Sequence, residues 1–328
     1  MREVARQAGV SLAAVSAVVN GATHTRLSAA TRRRIEQVIA EVGYVPNPAA
    51  RSLRSRMTRR VALVVHRIDN TTLHESVHGF HSAAMELGRT AIIGDAEWFT
   101  PGASLLSQLL AEGTVDGVVV HTPRALDADV LDQLRQHPRP VVTMENMGEG
   151  NGLWIAIDDA DAARRATRHL VELGHRRIAW AGSPSWSHAT RLRRDGYAEV
   201  MSEAGLATLE LDSDFGYRSG QAVIEALLRR QPRPTAVVVH TGSTAVGMLA
   251  AAADAGLRVP EELSLVAIHD IDVAEYVRPA LTCVRAPMFE LGARAARVAI
   301  TGDATDCGVI TDVPNELMVR ETTAPPAA

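Results

Sequence analysis

The chain contains no lysine: all 34 basic side chains are arginine. That excludes a Walker A phosphate loop, a protein kinase and a pyridoxal-phosphate enzyme, each of which needs a lysine on phosphate or as a Schiff base. Cysteine is nearly as scarce. Cys283 and Cys307 are too few for a disulfide framework or a cysteine-based zinc site, as expected of a reducing cytoplasm. No run of about 18 apolar residues occurs, so no membrane span is expected. Met1-Arg2-Glu3-Val4 leads straight into an amphipathic segment, so no secretory signal is expected. An apolar content of 46% over 328 residues still supports full cores, in roughly two to three domains.

What is present is unevenly charged. Residues 1–60 hold 11 Arg against three acids (Glu3, Glu36, Glu41), a net of +8, while the remaining 268 residues sum to −12. A basic head on an acidic body predicts a polyanion-binding module joined to something with another task.

The head reads as three short helices. Val4, Ala5 and Ala8 share one face before Gly9 stops the first helix; Ser11 can cap a second, Leu12–Val19, with Val15, Val18 and Val19 inward. A third starts at Ser28, carries Ile35, Val38, Ile39 and Val42 and ends at Gly43. Two short helices joined by a glycine turn form a helix-turn-helix pattern, and the arginine surplus favours DNA binding over a plain solvated bundle. On the second helix Leu12, Ala13, Ser16 and Ala17 lie opposite the valines and would face base edges. Ser11, Asn20, Ser28 and Thr31 offer hydroxyl or amide groups suited to phosphate. Farther on, Pro46 and Pro48 block helix upstream, and the stretch Ala49–Ser55 is too short to be helical alone.

Val4-Ala5-Arg6-Gln7-Ala8-Gly9-Val10-Ser11, Val15-Ser16, Val19-Asn20, Gly43-Tyr44-Val45-Pro46-Asn47 and Ala50-Arg51-Ser52-Leu53 resemble the head of the LacI/GalR-type (lactose-repressor) transcription regulators. The resemblance implies that the second helix enters the major groove, that a hinge folds into a helix on the operator, and that Leu53 wedges into the minor groove. Tyr44, Asn47 and Ala50 join the implied DNA contacts. Where many members carry Thr and Arg, this chain has Ala14 and Ala17, so the arginine–guanine fork is missing and readout would lean on Leu12 and Ser16.

Beyond residue 60, apolar runs alternate with helical stretches. Val61–Val65, Ala91–Ile93, Gly117–Val120, Val141–Met144, Ile178–Ala181, Ala236–Val239 and Leu263–Ile268 read as buried parallel strands. The α/β class follows, as two doubly wound sheets. Thr167-Arg168-His169-Leu170, Glu172-Leu173-Gly174-His175-Arg176-Arg177, Gly256-Leu257-Arg258-Val259-Pro260-Glu261, Pro279-Ala280-Leu281-Thr282 and Pro314-Asn315-Glu316-Leu317 extend the resemblance over nearly the whole chain. It implies a periplasmic-binding-protein-like effector domain of two parallel-sheet lobes joined by three crossovers. The boundaries expected are a helix-turn-helix domain over 1–47, a hinge and linker over 48–60, and a ligand-binding domain over 61–328. Its N-lobe would span about 61–157 and 288–312, its C-lobe about 158–287 and 313–328.

In such sheets ligands sit beyond the carboxyl ends of strands. Four of the 12 histidines stand at those ends, two per lobe: His66, His121, His240 and His269. A single one is most simply a polar strand terminator; four in equivalent places point to a shared cleft. Arg193 matches the family's ligand-gripping arginine, Arg67 stands where an acid is common, Glu145 and Asp270 are acceptors, and Trp186 or Trp98 could supply an aromatic wall. Such a lining favours an anionic or strongly polar metabolite, or a modified sugar. No spacing motif for a metal accompanies the histidines, and no cofactor is expected. His74, His78 and His81, at helical spacing, read as a dimer-facing or solvated stripe.

The expected protein is a cytoplasmic, homodimeric transcription regulator, a repressor, binding double-stranded operator DNA under control of a small-molecule effector. Residues 322–328 carry no Leu-rich heptad, so a dimer is expected in place of a tetramer. A solute-binding protein would share the body but has no use for a basic head. A small-molecule-processing enzyme lacks its nucleophile: Ala181-Gly182-Ser183-Pro184-Ser185 is not a GxSxG elbow.

Overall fold

A computed structural model describes residues 1–19, 27–44, 57–95, 113–121, 136–145, 152–182 and 187–327. The chain separates into two compact units, Met1–Arg59 and Arg60–Ala328.

In the first unit α1 (Arg2–Ala8) ends at Gly9, whose φ of 61° is the left-handed cap that glycine adopts without a Cβ clash. α2 (Leu12–Val19) starts at Ser11, whose Oγ accepts from the Ala14 N–H at 3.2 Å. α3 (Ala29–Val42) is capped by Ser28, accepting from the Thr31 N–H at 3.1 Å. Val4, Ala8, Val15, Val18, Ile35 and Val38 close the small core these helices share.

The second unit has two lobes. In the first, six parallel strands are ordered β11-β5-β4-β3-β1-β2: β1 (Arg60–Val65), β2 (Thr90–Asp95), β3 (Gly117–His121), β4 (Val141–Met144), β5 (Leu153–Ile157) and β11 (Gly308–Ile310). In the second the order is β12-β10-β9-β8-β6-β7: β6 (Ile178–Gly182), β7 (Glu210–Asp212), β8 (Ala236–Val239), β9 (Ser264–Ile268), β10 (Thr282–Arg285) and β12 (Glu316–Met318), the last antiparallel. The chain crosses between lobes after β5, after β10 and after β11.

Helices cover both sheets. α4 (His74–Glu86) and α9 (Met288–Thr301) belong to the first lobe; α5 (Asp159–Glu172), α6 (His188–Glu203), α7 (Ser219–Leu228) and α8 (Gly242–Asp254) to the second. The period-two side-chain pattern explains how one strand serves two cores: on β8, Val237 and Val239 pack with Met248 and Leu265, whereas Ala236 and Val238 pack with Trp180 and Tyr197. α4 and α9 cross at van der Waals limit because glycines meet there. A Cβ on Gly79 would lie 1.9 Å from the Phe289 carbonyl oxygen, and one on Gly292 would lie 1.8 Å from that of Ser76.

The register sets the cleft. Val239 of β8 lies beside Ala267 of β9, so His240 and His269 leave neighbouring carboxyl ends; His121 of β3 lies beside Met144, the residue before Glu145.

Candidate functional site

A buried arginine organises the second lobe's share of the cleft. Arg193 on α6 is 3% exposed, and each of its three nitrogens is committed. Nε donates to Asp159 Oδ1 at 2.6 Å, Nη1 to the His240 carbonyl at 2.9 Å, and Nη2 to His269 Nε2 at 2.6 Å. A guanidinium has no acceptor, so His269 Nε2 must be the lone-pair nitrogen and Nδ1 must carry the hydrogen. That Nδ1–H has no partner. Asp159, at the first position of α5, is the counter-ion, 2% exposed.

His240 shows the opposite tautomer. Its Nε2 donates to the Asp214 carbonyl at 3.3 Å, its ring lies 4.8 Å from that of Phe215, and its Nδ1 is left as an unpartnered acceptor. Burial, and then the charge of Arg193, lowers both His240 and His269 to about 3, so both rings are neutral at physiological pH.

From the first lobe, His121 Nε2 and Glu145 Oε2 meet at 2.9 Å, both almost wholly buried. Burial opposes ionisation of Glu145, but the His121 hydrogen bond and the positive field of Arg193 override it and hold the carboxylate below its ordinary range. Burial pushes Asp159 upward, against the pull of Arg193 and with the push of Glu145. The two lobes thus act on each other electrically. Glu145 Oε1, His121 Nδ1 and Thr190 Oγ1 are further buried atoms with no partner.

His269 also lines a cavity of about 820 Å³, shared by Thr71, Thr72, Tyr217, Tyr276, Met288 and Phe289. The hydroxyls of Thr71 and Thr72 are buried and unpartnered. The lining thus includes three residues with an unpartnered buried polar atom, His269, Thr71 and Thr72, which is costly unless something polar meets them. Three residues at strand ends hold left-handed backbones that favour glycine: Arg67 (φ 62°), Glu145 (φ 58°) and His269 (φ 69°). Strain of this kind clusters where side-chain aim matters more than backbone ease.

Residues 1–47 match the lacI family of bacterial regulatory proteins, and residues 167–323 match the periplasmic binding protein-like domain. Catabolite control protein A of Priestia megaterium is 30% identical over 332 residues, covering 98% of both chains. The chain belongs to the LacI family. It is also 31% identical to the HTH-type transcriptional regulator GalR of Escherichia coli, covering 98% of this chain and 94% of that one. The lac repressor dimer solved with operator and the anti-inducer ONPF superposes with a TM-score of 0.85 at 25% identity, over 98% of each chain.

Within this LacI-family regulator, Arg193, His240 and His269 from the sequence reading meet in direct contact, and His121 meets Glu145. His66 follows β1 and is partly exposed. Two residues expected at the ligand are already engaged. Arg67 turns to Asp69 in a surface ion pair at 2.9 Å. Asp270 borders the cavity, but Arg285 and Arg320 hold its carboxylate at 2.7 and 2.8 Å. Trp186 and Trp98 lie outside the described residues, as do Asn20, Asn47, Ala50 and Leu53.

In the head, Leu12 is 48% exposed, Ser11 and Ala13 are exposed, and Ser16 and Ala17 are half-buried. Ser28 and Thr31 share a 2.8 Å hydroxyl contact, and Tyr44 packs against the core. The histidine stripe of α4 is exposed; His74 reaches the cavity rim and His78 sets its ring edge-on to Phe289. Among the described residues no group of three or more His, Cys, Asp or Glu could hold a metal ion, and no helix is long and apolar enough to cross a membrane.

Asp159, Thr71, Thr72, Tyr217 and Tyr276 escaped the sequence reading. Asp159 alone left a trace, as an acid at a helix start two residues past a strand.

Proposed function

We propose that the chain is a homodimeric repressor in the cytoplasm whose head, residues 1–47, binds palindromic operator DNA, and whose domain 61–328 binds a small polar effector between its lobes. Residues 48–60 are the hinge that links the two. The reading of the body rests on one observation: unpartnered, buried polar atoms from both lobes around the Arg193–His269 contact. Dimerisation follows from the reach of one short recognition helix, since two heads place two such helices a turn apart. Ser11, Leu12, Ala13, Ser16, Ala17, Asn20, Ser28, Thr31, Tyr44, Asn47, Ala50 and Leu53 form the DNA face. His121, Glu145, Arg193, His240 and His269 form the inner wall of the effector site.

Arg193 positions this wall more than it attracts an anion, because Asp159 already answers its charge. That favours a polar, uncharged or donor-bearing ligand over an anionic one.

Selection of bound fragments from genomic DNA, followed by fluorescence anisotropy, tests the DNA reading. We expect a palindromic site whose affinity falls about 10³-fold or more between 50 and 200 mM salt. Leu53→Ala should lose operator affinity with ligand binding intact. Absence of any selected site, or salt-insensitive binding, overturns the reading.

A further inference from the structure

We propose that the effector is an uncharged molecule that presents a carbonyl oxygen to the ring N–H of His269, on a largely flat and apolar body. This rests on the reading of the cleft as the effector site and adds the ligand's chemical class to it.

His269 is fixed as a donor from two directions. Arg193 Nη2 donates to its Nε2 at 2.6 Å, so the one ring hydrogen stands on Nδ1. A guanidinium cannot accept, so the ring keeps this tautomer for as long as the contact lasts. Nor does the ring gain a second proton: burial, and then the charge of Arg193, keeps it neutral down to about pH 3. The backbone is held as well. His269 has a φ of 69°, and a Cβ on Gly242, at the start of α8, would lie 2.7 Å from the His269 carbonyl oxygen. The outcome is a preset N–H, buried and without a partner, on a residue that borders the 820 Å³ cavity. A buried donor without an acceptor is destabilising, and a ligand oxygen that meets it removes the penalty.

The neighbours decide which oxygen fits. A hydroxyl accepting here would have to place its own hydrogen, and Asp270, the next residue in the lining, is already committed. Its carboxylate accepts four N–H groups from Arg285 and Arg320. A carbonyl oxygen brings no hydrogen. A carboxylate or phosphate would accept too, but no cation is left to answer it: Arg193 is spent on Asp159, and Arg285 on Asp270. An ammonium would set N–H against N–H. The rest of the lining shapes the body of the ligand. Ile271, Val273, Met288 and Val313, with the rings of Tyr217 and Phe289, offer apolar surface. Thr71 and Thr72, on the first lobe, hold buried unpartnered hydroxyls that serve a second polar group as donors or acceptors.

The test uses the full-length protein and probe sets matched in scaffold: 4-acetylphenyl, 4-ethylphenyl, 4-aminophenyl and 4-carboxyphenyl β-glucosides; N-acetylglucosamine, glucosamine and glucuronate; inosine, adenosine and inosine 5′-monophosphate. Thermal-shift and calorimetric titrations are run on each. The expected result is that the uncharged carbonyl compound gives the largest stabilisation in every set that responds. His269→Asp still accepts from Arg193 but offers no hydrogen, so it should weaken the responding carbonyl compound by about ten-fold or more, roughly 1.4 kcal/mol. His269→Asn, which keeps a donor, should retain most of the affinity. The ranking within each set stands as a test even where a variant does not fold. Any other member binding best, no response to any carbonyl compound, or a carbonyl compound indifferent to His269→Asp overturns the proposal. Thr71→Val/Thr72→Val separates the two levels. If another member binds best and this variant weakens it, the carbonyl assignment falls and the cleft remains the site; if no binder responds to any of these variants, the cleft reading falls as well.

Discussion

At the residue scale, Arg193 is bound to Asp159, His240 and His269 in a place almost closed to water, so its removal leaves a buried carboxylate without a cation. Arg193→Met should lower unfolding free energy in urea by about 3–5 kcal/mol, and adding Asp159→Asn should restore part of it. A loss under 1 kcal/mol would mean that the pair is far better solvated than its 3% and 2% exposures imply. The neighbouring histidines make stability depend on pH. Folding keeps His240 and His269 neutral down to about pH 3, whereas the unfolded chain takes up protons near pH 6.5. Stability therefore falls as pH drops below about 6.5, at up to about 1.4 kcal/mol per unit for each ring. Asp159 has the opposite sign, because its raised pKa lets the native state bind a proton that the unfolded chain lacks. Two rings outweigh one carboxyl, so melting temperature should decline from pH 6.5 to 4.5, and His240→Asn/His269→Asn should flatten that decline. An equally steep decline in the double variant would contradict the assignment.

At the scale of elements, the α4–α9 crossing is set by glycine. Gly292→Ala would place a methyl carbon 1.8 Å from a backbone carbonyl oxygen of the facing helix. The helices must separate, with an expected loss of about 2–4 kcal/mol in chemical denaturation and a melting temperature lower by several degrees. An unchanged melting temperature would show that the crossing yields freely. The same scale decides what the sequence could disclose. Continuous apolar runs announced β1, β2, β3, β4, β6, β8 and β9, and the histidines that end or follow β1, β3, β8 and β9 pointed to the cleft, because a strand's end is a local property. β5, β7, β10, β11 and β12 went unannounced: β7, β11 and β12 are sheet edges of three residues each, too few to carry a pattern. Partnerships across the chain were invisible for another reason. Asp159 lies 34 residues from Arg193, and Arg320 lies 50 from Asp270, so nothing local records that these charges neutralise each other. Asp270 as an acceptor and Arg193 as a fork for a carboxylate or a diol were legible as charges; the partners each already holds were not.

At the scale of the molecule, a head of net charge +8 and a body of net charge −12 divide the work. The head supplies the salt-sensitive affinity for DNA; the body supplies two lobes whose polar atoms are left wanting toward the space between them. A ligand that meets both walls binds one lobe arrangement better than another. Only such a difference can shift the equilibrium that the paired heads sense. Coupling of this kind amounts to about 1–3 kcal/mol, or about 5–150-fold in affinity. The measurement that tests this most directly is operator affinity, by fluorescence anisotropy, with and without a saturating compound already seen to stabilise the wild type but not His269→Ala. The account predicts a change of about five-fold or more in the wild type and none in the variant. A compound that occupies the cleft while leaving operator affinity the same would contradict it.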